Sequence, residues 1–385
     1  MKNSLKNLIQ NAKHQAQLFF ETSYIEIKKS NTHTVFGFPE MSNRDRLTEW
    51  GATSSALVGL QLSSDNSPNA QNIMAKSKGW LTSKQIDDGS WEASDMSLSE
   101  ATAGVLIDLK KINSLDSNVM EKGISFLESC YKDDHFISTP ASIEKPHLYT
   151  TYIISKFLHE VGRLNHKEKI IHWILSAQTA NSRWGQMPKS NEETAIHTIF
   201  AINILNMCGM SWDEVKSKFG NQISWIKNCD QKNNYLYEEM QFRYKSTDEY
   251  GTEYGRLRLR HFVLPIIGNF YINIDKKADA LKIAKKIISQ QFSGGWGPSK
   301  DELTMWATQQ SIEFLINVEN QILKTISNLE YLLSCVRGIS FLGIKLFITL
   351  IGAAIASIFL FFPDYRASFL VGIFFMVVPW LLKRG

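Results

Sequence analysis

One pattern occurs three times in this chain and limits its fold more than any other feature: a helix ending in glutamine, a tight turn, then tryptophan. Residues 78–91 read KGWLTSKQIDDGSW, residues 172–185 read HWILSAQTANSRWG, and residues 284–297 read AKKIISQQFSGGWG. The glutamines are Gln85, Gln178 and one of Gln290 or Gln291, and the tryptophans are Trp91, Trp184 and Trp296. A new helix is expected ten to twelve residues after each tryptophan, at Thr102, Thr194 and Thr308. Weaker copies fill the gaps: residues 126–136 before Thr150, residues 225–237 before Thr252, and Phe36-Gly37-Phe38 before Thr53. The six threonines stand 44 to 58 residues apart. Self-similarity at such a period is the mark of a repeat architecture. Each copy is a helical hairpin whose apolar face only its neighbours can bury, so the array must close or be capped. The expected fold is all-α, an (α/α)6 toroid with outer helices outside and inner helices around a cavity. The glutamine is expected to bond the backbone of the turn and the indole to cover the helix end.

A second feature lies at the other end. Residues 346–362 carry no charge, and the run extends back to Ile339 if Lys345 snorkels. Pro363-Asp364-Tyr365-Arg366 makes a polar turn, and a second uncharged run covers residues 367–382 before Lys383-Arg384. The first run suits a span of roughly 30 Å and the second is slightly short for it. A transmembrane hairpin is expected over residues 338–385, with spans at about 339–362 and 367–382; a buried core hairpin fits runs so long and unpatterned less well. Arg337, Lys345, Lys383 and Arg384 fall on one side, which places both chain ends in the cytoplasm of a bacterial inner membrane. The net charge of +4 comes from this C-terminal stretch, and the rest balances at 37 basic and 37 acidic residues, so charge makes no case for nucleic acid. Four cysteines without C-x-x-C spacing argue against a zinc site or disulfide framework and for a reducing compartment. Residues 1–10 are polar and lack the apolar core of a signal peptide.

Between these parts, residues 307–337 contain no Gly or Pro. Leu315, Val318, Ile322, Thr325, Leu329, Leu332 and Val336 recur at spacings of three and four, a heptad seam. This segment reads either as the last amphipathic helix of the globular part or as an oligomerisation stalk leading into the bilayer. The domain boundaries expected are 1–306 for the toroid, 307–337 for the stalk helix and 338–385 for the membrane hairpin.

The repeats resemble the QW repeats of the prenyltransferase and squalene/hopene cyclase superfamily, over about residues 30 to 317. The resemblance implies the (α/α)6 toroid. Cyclases of this kind protonate their substrate with a D-x-D-D motif, and protein prenyltransferases hold zinc with Asp, Cys and His. Neither D-x-D-D nor D-D-x-x-D occurs here, and Asp87-Asp88 and Asp133-Asp134 fall in repeat turns. Cys208 and Cys229 have no Asp and His at a recognisable spacing. No catalytic residue, metal ligand or cofactor is therefore assigned. The same toroid serves non-catalytic binding proteins such as the thioester domain of complement, so the fold leaves function open.

Candidate ligand-binding residues are those expected near the starts of inner helices. Thr252, Arg256 and Arg260 would share a helix face, with Tyr250, Tyr254 and His261 close by. Two guanidiniums among aromatics suit a phosphate-bearing or nucleotide-like ligand; ion pairs to Asp248, Glu249 and Glu253 are the plainer reading. Glu100, Glu193 and His197 head neighbouring inner helices as candidate counter-charges, and Glu49 and Trp50 head the first. Three functions follow as expectations. The first is a membrane effector, whose toroid senses a ligand or protein regulator and whose hairpins, joined by the stalk into a homo-oligomer, form a pore or ion channel; bacterial antiphage defence is the context by analogy. The alternatives are a membrane-attached enzyme on isoprenoid substrates and a non-catalytic membrane scaffold.

Overall fold

The computed structural model of the chain describes residues 2–28, 34–39, 51–64, 67–91, 97–141, 146–189, 192–234, 239–244, 253–258 and 260–325. In chain order these form α1 (Lys2–Ser23), β1 (Ile25–Lys28), β2 (Thr34–Gly37), α2 (Gly51–Ser63), α3 (Pro68–Thr82), α4 (Leu98–Lys111), α5 (Ser117–Ser129), β3 (Tyr131–Lys132) and β4 (His135–Phe136). They continue with α6 (Leu148–Glu160), α7 (Lys167–Ser176), α8 (Ala195–Met207), α9 (Trp212–Lys218), α10 (Gly220–Gln231), β5 (Glu239–Tyr244) and β6 (Glu253–Arg258). The last are α11 (Arg260–Asn273), α12 (Lys277–Ser289), β7 (Trp296–Ser299), β8 (Glu302–Thr304), α13 (Met305–Asn317) and a π-helical turn, Val318–Leu323.

Six of the helices close a ring. α2 contacts α4, α4 contacts α6, α6 contacts α8, α8 contacts α11, α11 contacts α13, and α13 returns to α2. Their composition explains why they are inside. α8 reads AIHTIFAINILNM, apolar on nearly every side, and all but three of its residues are buried; a helix hydrophobic all round needs neighbours all round. The outer helices α1, α3, α5, α7, α10 and α12 bury one stripe each. In α5 the buried residues are Gly123, Ile124, Phe126 and Leu127. The N-terminal helix α1 is the outer member of the first hairpin and packs on α2, α3, α12 and α13, so it closes the outer layer where the first and last hairpins meet.

The repeated turn holds the inner helices in register. Trp91 N donates to Thr102 Oγ1 (3.0 Å), Trp184 N to Thr198 Oγ1 (3.3 Å) and Trp296 N to Thr308 Oγ1 (3.0 Å). Phe38 N does the same to Thr53 (3.2 Å) and Phe136 N to Thr151 (3.3 Å). The helices expected to start near Thr150 and Thr194 begin at Leu148 and Ala195, and the threonines that accept from their turns are Thr151 and Thr198. Thr194 instead caps α8, accepting from His197 N. Each indole is buried and donates back to the end of the preceding outer helix: Trp91 Nε1 to Leu81 O (3.0 Å), Trp184 Nε1 to Ile174 O (2.8 Å) and Trp296 Nε1 to Ile287 O (2.8 Å).

The glutamines tie each turn to the next hairpin. Gln85 Nε2 donates to Gly89 O inside its turn and to Val119 O on α5, both at 2.9 Å. Gln291, rather than Gln290, makes the equivalent pair, to Gly294 O (2.9 Å) and to Ala12 O on α1 (3.0 Å). Gln178 Nε2 donates to Ser182 O (3.3 Å), which also receives Gln222 Nε2 from α10 (2.7 Å). Gly89 (φ +93°) and Gly294 (φ +86°) lie in the left-handed region, and a Cβ on either would strike the carbonyl of Lys122 or Gln15 on the adjoining outer helix. Only glycine allows that approach.

Other expectations change. The fold is mostly helical rather than all-α, because two-residue to six-residue strands pair as antiparallel hairpins: β1 with β2, β3 with β4, β5 with β6, and β7 with β8. The first compact unit runs from Met1 to Ile326, beyond the expected boundary at 306. α13 is the sixth inner helix of the ring, and Leu315 in it, with Val318 and Ile322 in the turn after it, is fully buried. A seam that faces the toroid core is not free to pair with another chain. Leu329, Leu332 and Val336 lie outside the described residues, as do both expected membrane spans. Among the described residues, no helix is long and apolar enough to cross a membrane.

Candidate functional site

The lumen is defined by side chains that meet across it. α4 and α13 are separated in the ring by α2, yet Lys111 Nζ and Glu313 Oε2 form an ion pair at 2.7 Å. Gln309 Nε2, one turn earlier on α13, donates to the same carboxylate (2.6 Å). From α2, Ser54 Oγ donates to Asp108 Oδ2 on α4 (2.8 Å). Lys156 on α6 feels the charges of Glu313, Glu160 and Asp108. Four inner helices thus send Ser54, Asp108, Lys111, Lys156 and Glu313 to one polar layer. Beside Lys111 and Glu313 opens a cavity of about 190 Å³, walled by Val58, Leu62, Ile112 and Ile316.

Burial and field pull these groups in opposite directions. Burial pushes the Asp108 carboxyl up to about 6, and Glu313 adds to the push against Lys111, Ser54 and Lys156. Burial also pushes Glu313 up, but Lys111 and Lys156 outweigh it and hold the carboxyl below its usual range. Burial disfavours the Lys156 ammonium, and Tyr152, Glu313, Glu160 and Asp108 together raise it above the ordinary lysine value. At neutral pH the layer is therefore ionised, with Asp108 the group nearest to taking up a proton.

At the turn end the polar groups are quieter. Glu100 completes a capping box with Ser97 and accepts from Thr150 Oγ1 (2.5 Å). Gln186 Nε2 donates to His147 Nδ1 (3.2 Å), and burial holds that imidazole below its usual value. His197 is fully buried, shares a hydrogen bond between its Nδ1 and Thr194 Oγ1 (2.6 Å), and is pushed down to about 3 by burial and then by His147. It is neutral under ordinary conditions. Tyr149 and Tyr152 continue the lumenal face of α6 towards Lys156, and Tyr152 stacks on Phe200 of α8 with ring centroids 4.3 Å apart.

The residues expected to bind ligand are dispersed. Glu193 pairs with Arg183 (2.9 Å) and accepts from Thr179 Oγ1, bracing the repeat turn before α8. Arg183 also lies over Trp225, 4.5 Å from the ring. Glu193 is thus a scaffold residue. Arg256 and Tyr254 stand on β6, paired with Gln241 and Arg243 of β5, whereas Arg260 opens α11. A strand ends before that helix begins, so Arg256 and Arg260 do not share a helix face. Tyr250, Thr252, Glu49 and Trp50 lie outside the described residues. Of the expected set, Glu100 and His197 are at the turn end of the lumen. Asp108, Lys111, Lys156 and Glu313 were not singled out from sequence. The signal that finds them is their register, since Asp108, Lys156 and Glu313 fall five or six residues after Thr102, Thr151 and Thr308.

The doublets behave as expected of turn residues: Asp88 Oδ1 accepts from Ser90 N (2.9 Å), and Asp133 and Asp134 have positive φ between β3 and β4. Burial pushes the Cys130 thiol up to about 12 and the Cys208 thiol up to about 11, so neither is poised as a thiolate. Among the described residues, no group of three or more His, Cys, Asp or Glu is placed to hold a metal ion.

Comparison with known proteins bears on the fold. Residues 120–302 match the family model of the prenyltransferase alpha-alpha toroid domain. No curated protein matches the chain. Among solved structures, a single-residue variant of the type II terpene cyclase MstE from Scytonema, in complex with merosterolic acid A as product, superposes with a TM-score of 0.51. It is 12% identical and covers 84% of this chain and 100% of that one. Another variant of that cyclase, in complex with its substrate geranylgeranyl dihydroxybenzoate, superposes at 0.50 with 11% identity over 84% and 100%. These likenesses, with the matched domain, show that the ring has the α/α toroid fold.

Proposed function

We infer that the chain is a ligand-responsive, non-catalytic membrane effector. Its toroid binds a small polar ligand in the lumen, and its C-terminal apolar segments assemble in a bacterial inner membrane as an oligomeric pore, with the toroid and both chain ends cytoplasmic. The observation that carries the binding half is the lumenal layer of Asp108, Lys111, Lys156 and Glu313. Cyclisation of a polyprenyl chain needs a lumen that tolerates carbocations. Two ammonium groups in the lumen oppose such an intermediate, whereas a layer of charges suits a polar ligand.

The link to the membrane half is covalent. Glu313 sits on α13, the helix that closes the ring, and the chain runs from it through the π-helical turn Val318–Leu323 into residues 326–385. A π-turn is a rare geometry that concentrates at functional places. Gln10 of α1 donates to both oxygens of Glu319 in that turn (3.0 and 2.8 Å), which ties it to the ring. A ligand that redistributes the Lys111–Glu313 pair acts on this same helix. Expression in bacteria is expected to be toxic and to produce ion flux, and both effects should vanish when residues after Gly338 are deleted. Toxicity that survives the deletion would sink the effector reading.

A second reading has one observation in its favour. Asp108 is an acid raised to about 6 in the lumen of a fold shared with a type II terpene cyclase, and an acid so placed has the chemistry to protonate an alkene. Incubation with squalene, prenyl diphosphates and geranylgeranyl dihydroxybenzoate, read by mass spectrometry, tests it. Product formation abolished by Asp108→Asn would displace the binding reading.

A further inference from the structure

The cavity of about 190 Å³ lies where α2, α4 and α13 end, at the far side of the lumen from the repeat turns. Its walls carry two kinds of chemistry. Val58 and Ile112 are buried, and Leu62 and Ile316 are half-buried beside them, so branched aliphatic side chains make one surface. The other surface is polar, and part of its hydrogen-bonding capacity is unused. Lys111 Nζ lies 2.7 Å from both oxygens of Glu313. That carboxylate takes at most two of the three N–H groups of the ammonium, and no other described residue accepts from it. Asn317 Nδ2 donates to Asn269 Oδ1 (2.9 Å), and its own Oδ1 accepts from no described residue. Gln61, exposed at the mouth, makes no hydrogen bond to a described residue.

Size and charge then define what fits. A cavity of about 150 Å³ holds benzene, so one of about 190 Å³ holds roughly eight heavy atoms. Lys111 and Glu313 already neutralise each other, and a charged guest would leave one charge unmatched. Three inner helices present their C-terminal ends here, where partial negative charge gathers, and that opposes an anion. The Lys111 ammonium opposes a cation. We propose that the cavity binds a small neutral amide with an alkyl chain of about five carbons. Its carbonyl oxygen accepts from Lys111, its N–H groups face Asn317 Oδ1 and the Gln61 amide, and its chain lies against the aliphatic wall. Ile316 and Asn317 end α13, and the π-helical turn Val318–Leu323 departs from Asn317. The guest therefore touches the joint through which ligand binding would reach the rest of the chain. This inference rests on the reading of the toroid as a ligand-binding domain, and names the class of ligand.

The test uses the full chain purified in detergent, with binding followed by calorimetry and by the shift in melting temperature. Hexanamide, hexanoate and hexylammonium share one chain length and differ in charge, and acetamide keeps the amide but loses the chain. Hexanamide is expected to bind with a Kd on the order of 1 mM, about tenfold or more tighter than the other three. Leu62→Phe fills the cavity from its half-buried edge. It should keep or raise the melting temperature and abolish the hexanamide response, which separates binding in the cavity from uptake by detergent. Gln61→Leu, at an exposed position, should weaken hexanamide by about threefold. Lys111→Met combined with Glu313→Gln removes the donor without stranding a carboxylate, and should weaken it by about tenfold. No response to hexanamide at about 20 mM, equal binding of hexanoate or hexylammonium, or an undiminished response in Leu62→Phe would overturn the inference. Toxicity that vanishes on deleting residues after Gly338, together with no hexanamide response, would leave the effector reading standing without this ligand.

Discussion

Thr53, Thr102, Thr151, Thr198 and Thr308 make the same hydrogen bond to a repeat turn five times around the ring. Five or six residues further along the same helices stand Val58, Asp108, Lys156, Asn203 and Glu313, and no two of them are alike. Every copy of the turn faces the same problem, the covering of a helix end and the backbone of a bend, so the same residue types solve it each time. The lumen is a single shared space in which each helix contributes one part to a common layer, so its residues must differ. Satisfied hydrogen bonds mark the first region, and a layer of charges marks the second.

Breaking the turn should cost most. Trp184→Ala removes a fully buried indole and its bond to Ile174 O, and is expected to lower stability by roughly 3–5 kcal/mol in urea unfolding. The next effect is acid-dependent and belongs to His197. Its folded value near 3 lies below the unfolded value of 6.5, so its contribution is complete above about pH 6.5 and is lost as pH falls towards 3. Between pH 7 and pH 4 this amounts to roughly 3 kcal/mol. His197→Leu should therefore show a shallower acid limb than the unaltered protein, and an unchanged limb would refute the assignment. His135 and His147, also held down by burial, keep the limb from flattening altogether.

The lumen should answer in the opposite direction. Asp108 has a folded value of about 6 against an ordinary value of 3.8. The folded protein binds that proton more tightly, so this group lowers stability increasingly as pH rises from about 4 to 6, by up to about 3 kcal/mol. Asp108→Asn is then expected to raise the melting temperature at pH 8, with the gain disappearing near pH 4. A variant less stable than the parent at pH 8 would mean that the carboxylate serves the fold rather than a ligand. Smaller again is Thr198→Val, which leaves the buried Trp184 N–H without its acceptor and should cost about 1–2 kcal/mol at any pH. Gln291→Ala, which unties the last turn from α1, should cost about 1 kcal/mol and increase hydrogen exchange in α1.

Much of the ring was legible because the repeat is local. Gln85, its turn and Trp91 lie within seven residues, and the helix they end is contiguous with them. The helix starts near Thr150 and Thr194 were legible, but which threonine accepts from the turn, Thr151 or Thr198, is selected by three-dimensional packing among several neighbours. The arginine pair failed for a different reason. Arg256 and Arg260 have helical spacing, but the β-hairpin Glu239–Arg258 intervenes and places them on different elements. The heptad of Leu315, Val318 and Ile322 was equally ambiguous, because a stripe that buries against a ring and one that buries against a partner have the same period.

By itself the sequence determined a closed ring of six helical hairpins, since each copy of the pattern carries an apolar face that only another copy can cover. Two apolar runs after residue 338 are likewise written in the sequence, as hydropathy is a property of composition. Only the tertiary structure decided what the ring encloses. Asp108, Lys111, Lys156 and Glu313 are up to about two hundred residues apart in the chain, and each alone reads as an ordinary charged residue on a helix. They become a site because ring closure brings α4, α6 and α13 to face one another across one lumen. Which charge there meets which depends on distances that no local pattern records.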